Sequence, residues 1–174
     1  MIRLFDFLFA FIGIIILMPL VLLIFIILYL ENKSPFFFQE RIGKNLKKFT
    51  LIKFRTMSKG TKSCATHLVD SSRVTSSGAF LRRTKLDEIP QLWNVLKGEM
   101  SFVGPRPCLP IQTELIKFRK ELNVHLIRPG ITGLAQVKGI DMSDPLFLAK
   151  TEQKMIKEFN LVKYFWFIFV TLIG

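Results

Sequence analysis

Carboxylates are scarce in this 174-residue chain, where 13 Asp and Glu face 25 Lys and Arg. Asp87 and Glu88 form its one adjacent acidic pair, and three cations, Arg82, Arg83 and Lys85, stand just before them. An ionised aspartate among cations can act as a nucleophile or hold a divalent metal, and Glu88 can serve as a metal ligand or proton acceptor. Two acids held near several cations suit a phosphoanhydride with Mg²⁺. The same residues also have a structural reading. Asp87 can be an N-cap with Glu88-Ile89-Pro90 as the first turn, or Thr84 can be the cap with Asp87 at the third position of a capping box. In both cases a helix start would supply free N–H groups and a partial positive charge that favour phosphate.

Two other groups of residues could bind anions. Arg106 lies in Gly104-Pro105-Arg106-Pro107, where prolines restrict the backbone on both sides and leave a guanidinium that loses little entropy on gripping phosphate. A Pro-rich turn with a solvated Arg is the plainer alternative. Lys53 and Arg55 share a face if their segment is a strand, presenting two cations together or simply a solvated strand face. Residues 128–133 (RPGITG) read as a structural turn cluster. His67 and His125 have no metal-ligand spacing, Cys64 and Cys108 match no CxxC pattern, and GxSxG, GxGxxG and P-loop motifs are absent. Zinc, hydride-transfer and serine-hydrolase chemistry therefore have no support.

The elements that must position these groups include one in a membrane. Half of the residues are hydrophobic, 18 are Phe, and the net charge is +12, a balance that excludes intrinsic disorder and suggests contact with anionic lipid or phosphate. Residues 7–30 carry no charge, and roughly 20 such residues cross a bilayer core. A cleaved signal peptide fits poorly, because the run is too long and no small-residue cleavage site follows. Pro19, near its middle, allows a kinked spanning helix or a helix–break–helix that enters and leaves by one face. Lys33, Arg41, Lys44, Lys47 and Lys48 after the run place that side in the cytoplasm by the positive-inside rule.

Beyond the apolar run, residues 36–57 read as a β-hairpin turning at Gly43-Lys44-Asn45. Residues 58–78, rich in Ser, Thr and Lys, are expected to be a loop or lid. Helices are predicted after Asp87, with Ile89, Leu92, Trp93 and Leu96 on one face and Gly98 as the stop. Another should start at Pro110, with Ile111, Leu115, Phe118 and Leu122 inward. A third should be capped by Asp144-Pro145, with Leu146, Ala149 and Ile156 inward. The apolar, aromatic end from 162 to 173 is too short to span and suits an interfacial helix.

Three blocks resemble the bacterial sugar transferases, the monotopic phosphoglycosyl transferases: residues 53–57 (KFRTM), 86–107 (LDEIPQLWNVLKGEMSFVGPRP) and 128–137 (RPGITGLAQV). Their order and spacing match over nearly the whole chain. The resemblance implies transfer of a phosphosugar from a UDP-sugar to undecaprenyl phosphate at the cytoplasmic face of the bacterial inner membrane, as the first membrane step of glycan assembly. It implies an aspartyl-phosphosugar intermediate, release of UMP, and hand-over to downstream glycosyltransferases, with no role for nucleic acid. Asp87 matches the nucleophile and Glu88 its partner, both as candidate Mg²⁺ ligands. Arg82 and Arg106 match arginines near the nucleotide and phosphates, and Lys53 and Arg55 lie in a matching basic block. The implied fold is α+β and monotopic: a re-entrant helix broken at Pro19 over residues 1–32, and a catalytic domain over 33–174 built from a hairpin and short, partly interfacial helices. The family's Ser-Pro pair is Met18-Pro19 here, and Leu134 replaces a common Trp; the second departure bears on the identity of the sugar. The alternative from another class is a non-enzymatic, membrane-anchored basic module that binds anionic lipid or nucleic acid.

Overall fold

A computed structural model describes residues 1–58, 60 and 73–173. Most of the expected 58–78 loop, with Cys64 and His67, lies outside the described residues. The last part of that stretch is not loop, because Thr75 caps a helix: its side chain accepts from Gly78 N at 3.0 Å. Ser and Thr at 75–77 are cap and first-turn residues here.

Helix α1 (Ile2–Asn32) is followed by an antiparallel hairpin of β1 (Phe36–Ile42) and β2 (Lys48–Phe54), with Phe36 opposite Phe54 and Phe37 opposite Lys53. The turn carries Asn45 and Leu46 in left-handed geometry. Helix α2 (Ser76–Arg83), a 3₁₀ turn at Leu86–Glu88 and α3 (Gln91–Lys97) follow. Strand β3 (Ser101–Val103) pairs in parallel with β4 (Gly130–Thr132), and α4 (Thr113–Glu121) lies in the connection between them. Helices α5 (Leu134–Val137), α6 (Pro145–Lys157) and α7 (Leu161–Ile173) complete the described chain.

Pro19 does not end α1, since the chain is helical on both sides of it; a bend at the proline is the form that a break takes here. An interior proline removes one ladder bond at a cost of about 3 kcal/mol, and anchoring at both ends of the helix offsets that cost. Near the first turn, Arg3 donates to Val95 O at 2.5 Å and Leu96 O at 2.8 Å, capping the carbonyls at the end of α3. Asp6, 1% exposed, accepts from Ser101 Oγ, Phe102 N and Tyr164 Oη at 2.9, 3.1 and 2.9 Å. At the other end, Ile24 and Leu28 pack with Phe54 and Leu81. The rest of α1 presents exposed apolar side chains such as Phe11, Ile16 and Leu23, and the helix is long and apolar enough to cross a membrane.

The helical expectations hold in outline. Gly98, left-handed, ends α3 as predicted, and Leu92 faces inward, but Trp93 is half exposed while Asn94 is buried. Asn94 donates to Thr50 O and to Glu99 and accepts from Ile52 N, tying α3 to β2. Helix α4 starts three residues after Pro110, with Leu115 buried and Ile111 exposed. Asp144 caps α6 as expected, accepting from Phe147 N at 2.9 Å; Ala149 is buried and Leu146 is not.

Glycines let the two short strands meet. A Cβ on Gly130 would lie 2.0 Å from Gly104 N, and one on Gly104 2.3 Å from Arg128 O, distances that no side chain tolerates. The 128–133 cluster is thus structural, as read, and it also brings Gly130 and Thr132 to the wall of a cavity.

Candidate active site

That cavity, about 640 Å³, is bounded by the hairpin, the segment from Arg82 to Gln91, the loop at Arg106-Pro107, the β4–α5 region and the end of α7. All six residues singled out from the sequence line it: Lys53, Arg55, Arg82, Asp87, Glu88 and Arg106. Arg41 and Lys85 join them, giving six cations around two carboxylates among the described lining residues.

The acidic pair sits differently from either structural expectation. Thr84 closes α2, Lys85 adopts left-handed geometry (φ 57°), and Asp87 and Glu88 lie within the one-turn 3₁₀ segment, while Pro90 holds the N-cap position of α3. Asp87 is therefore neither the N-cap nor the third residue of a capping box. The left-handed Lys85 stops α2 before Asp87 can join a regular helix.

Lys53 distinguishes the two acids. Its Nζ is 2.5 Å from Glu88 Oε1 and 3.9 Å from Asp87 Oδ2. Glu88 is held below the usual carboxylate range: burial acts to raise it, but the Lys53 ammonium with its hydrogen bond, and then Arg106, outweigh burial. Asp87 is 8% exposed. Burial, reinforced by the Glu88 charge, pushes its carboxyl up to about 6 against the pull of Lys53 and Arg82. The two acids are thereby set to different protonation behaviour.

This has a thermodynamic consequence. Between pH 3.8, the unperturbed value, and about 6, the folded state keeps a proton that the unfolded state has released. Stability from this group is complete below that window and falls as pH rises through it, by about 2–3 kcal/mol. Denaturation of detergent-solubilised protein in EDTA, run from pH 4 to 7 beside Asp87→Asn, should show the wild type losing that amount relative to the variant. A constant difference would mean that Asp87 titrates normally.

The cations are fixed by neighbours. Arg82 Nε donates to Thr56 Oγ1 at 2.8 Å. Arg55 donates to Ser34 O and Phe36 O and lies over the Phe37 ring at 5.5 Å. Lys85 reaches Thr171 O at 3.3 Å, bringing α7 to the cavity rim. Arg41, buried in the β1 wall, donates to Pro107 O at 2.8 Å and to Gln39 Oε1. Burial pushes its guanidinium down to about 10, still charged at neutral pH.

Arg41 and Gln39 were not singled out from sequence, though a signal for them existed. Lys53 pairs with Phe37, so period-two alternation puts Phe37, Gln39 and Arg41 on the face that carries Lys53.

Magnesium is ordinarily held by one or two carboxylates, with substrate phosphates and water completing its shell. Asp87 and Glu88, adjacent and lining one cavity, fit that donor set. No cluster of three or more His, Cys, Asp and Glu able to hold a metal occurs among the described residues.

A family model described as bacterial sugar transferase matches residues 1–173. The chain is 46% identical over 115 residues to the uncharacterized sugar transferase EpsL of Bacillus subtilis, covering 63% of this chain and 54% of that protein. It is 39% identical over 145 residues to an uncharacterized sugar transferase of Haemophilus influenzae, covering 73% of this chain and 30% of the relative. It is 36% identical over 166 residues to the UDP-N-acetylgalactosamine-undecaprenyl-phosphate N-acetylgalactosaminephosphotransferase of Aeromonas hydrophila, covering 90% of this chain and 39% of the relative. The chain thus spans between about a third and about half of the length of these relatives.

Proposed function

The chain belongs to the bacterial sugar transferase family, and from that membership we propose that this transferase moves a sugar 1-phosphate from a UDP-sugar to undecaprenyl phosphate. The observation that carries the reading is Asp87, buried in the wall of a cavity whose other charged lining residues are six cations and Glu88. A non-enzymatic basic module would account for the charge, but not for two carboxylates held among those cations at the cost of their desolvation.

In the proposed reaction, an Asp87 carboxylate oxygen attacks the sugar-linked phosphorus of the donor. The Asp87 O–P bond forms as the bond to the UMP oxygen breaks, and UMP leaves. An oxygen of undecaprenyl phosphate then attacks the same phosphorus and Asp87 departs, leaving an undecaprenyl diphosphate sugar. Phosphoryl transfer of this kind depends on positioning and charge neutralisation more than on strong bases. Arg82 and Arg106 line the cavity and act electrostatically on Asp87 and Glu88 respectively, which supports assigning their guanidiniums to the phosphate oxygens. Lys53 holds Glu88 ionised and oriented. When bound by Asp87 and Glu88, Mg²⁺ supplies further neutralisation of the diphosphate. A protein-bound intermediate separates the water-soluble donor from the lipid acceptor in time.

The direct test is UMP release from a panel of UDP-sugars with undecaprenyl phosphate and Mg²⁺. One or more donors should release UMP in step with lipid-linked product. Absence of release from every donor would remove the proposed activity.

We also propose that residues 1–32 form a membrane element that enters and leaves by the cytoplasmic face, with 33–174 as the catalytic domain on that face. Support comes from α1 itself: Arg3 and Asp6 near its start and Ile24 and Leu28 near its end all contact the segment that follows. A helix crossing the bilayer would carry one end away from that segment. Leu4→Cys and Glu31→Cys, in a background without Cys64 and Cys108, should both resist an impermeant thiol reagent until the inner membrane is opened. Labelling of one of them in intact spheroplasts would establish a spanning helix instead.

A further inference from the structure

Every backbone from Gly104 to Cys108 is held from outside the loop. Gly104 N donates to Thr132 O at 2.9 Å, Pro105 O accepts from Gly130 N at 2.8 Å, Pro107 O accepts from Arg41 Nη1 at 2.8 Å, and Cys108 O accepts from Ile42 N at 2.9 Å. Arg106 is treated differently from its neighbours, because both of its polar backbone groups meet one buried ion pair. Its N–H donates to Glu152 Oε1 at 3.1 Å, and its carbonyl accepts from Arg119 Nη2 at 2.7 Å. Arg119 in turn donates through Nη2 to Glu152 Oε1 at 2.5 Å and through Nε to Glu152 Oε2 at 2.8 Å. The two side chains come from different helices, α4 and α6, and are 6% and 1% exposed.

An ion pair so buried is a poor means of gaining stability. Desolvating both charges costs several kcal/mol, and apolar residues of similar volume commonly replace such pairs without loss. What an apolar pair cannot do is offer one acceptor and one donor to the two sides of a single residue. Pro105 and Pro107 already restrict the chain around Arg106. With its own N–H and C=O fixed as well, the direction in which its guanidinium leaves the backbone toward the cavity is set by the pair.

We propose that Arg119 and Glu152 are positioning residues for Arg106: a buried bracket that aims its guanidinium at the donor diphosphate without either residue touching substrate. The inference rests on the proposed transfer reaction, and it adds two residues that do not line the cavity with the acidic pair.

The experiment is a cycle read by two measurements: binding of UDP, the portion common to the donors, by calorimetry in detergent, and UMP release. The variants are Arg106→Ala, the paired replacement Arg119→Met with Glu152→Leu, and all three together. The paired replacement should fold, with a thermal midpoint near that of the wild type, yet bind UDP and turn over about tenfold to a hundredfold more weakly, the scale of a 1 Å misplacement. Adding it to Arg106→Ala should cost less than about a further twofold, because its effect passes through a guanidinium already removed. Multiplying losses, or wild-type UDP affinity and turnover in the folded paired variant, would overturn the bracket.

If the paired replacement does not fold, Arg119→Lys serves in its place. It keeps a cation beside Glu152 but cannot serve both carboxylate oxygens and Arg106 O together, and the same non-additivity is expected. UDP binding that follows this cycle in a protein releasing no UMP would sink the transfer reading while leaving the bracket standing. Active transfer with multiplying losses would do the reverse.

Discussion

Asp87→Asn is expected to bring UMP release to background, a loss of at least about 10⁴-fold, the scale seen when a covalent nucleophile is removed. Asparagine has the shape of aspartate and suits the same 3₁₀ turn, so the cavity should keep its form. The desolvated charge disappears, so stability near neutral pH should rise rather than fall. Membrane association should survive as well, because the substitution leaves the exposed apolar side chains of α1 and α7 untouched. Loss of turnover in a folded, membrane-bound and slightly more stable protein is a signature that structural damage does not produce. With donor labelled in the sugar phosphate, the wild type should yield a labelled peptide containing Asp87 when quenched before acceptor is added. Glu88→Gln should behave differently. It leaves the proposed nucleophile in place but frees Lys53 to pair with Asp87, which should lower the basicity of Asp87 and slow the proposed attack. Steady product formation by Asp87→Asn would remove the covalent route altogether.

What could be read from the residues, and what could not, follows from the range of each interaction. The hairpin, the Gly98 stop and the Asp144 cap are local, since each is decided by neighbours within about four positions, and each was legible. The six residues of the candidate site were legible by chemical type, although their convergence was not: Lys53 and Asp87 are 34 positions apart, and a strand and a 3₁₀ turn bring them to 3.9 Å. The turn itself was misread as a helix start, because Asp-Glu-Ile-Pro satisfies capping rules while the left-handed Lys85 that overrides them leaves no trace in a lysine. Strands β3 and β4, three residues each, are too short to show alternation. The Asp6–Tyr164 hydrogen bond joins the first helix to the last, and an aspartate at the head of an apolar run gives no hint of its partner. Arg119 and Glu152 look like ordinary charged positions on two amphipathic helices; only the packing of α4 on α6 turns both inward.

That packing leads to the second large effect, on stability. Replacing Glu152 alone with Leu leaves the Arg119 guanidinium, 6% exposed, without its anion. Burial by itself acts to lower the Arg119 pKa and is the largest single influence on it; the Glu152 charge, Cys108 and the hydrogen bonds to both together outweigh it in the intact pair, so with Glu152 gone most of the desolvation is uncompensated. Nearby Cys108 gives no relief, because burial pushes its thiol above the ordinary value and keeps it neutral. The expected loss is about 3–5 kcal/mol, a large fraction of the roughly 5–15 kcal/mol that holds an ordinary domain folded. For a chain of this size that corresponds to a fall of about 10 °C or more in the midpoint of thermal unfolding. Arg119→Met alone should do comparable damage by stranding the carboxylate. Arg119→Met combined with Glu152→Leu should recover most of the loss, since no charge is left buried. Stability therefore should not track the number of substitutions: two changes are milder than one. A double variant as unstable as the singles would mean that the pair's hydrogen bonds to Arg106, and not its charges, hold α4 and α6 on the loop.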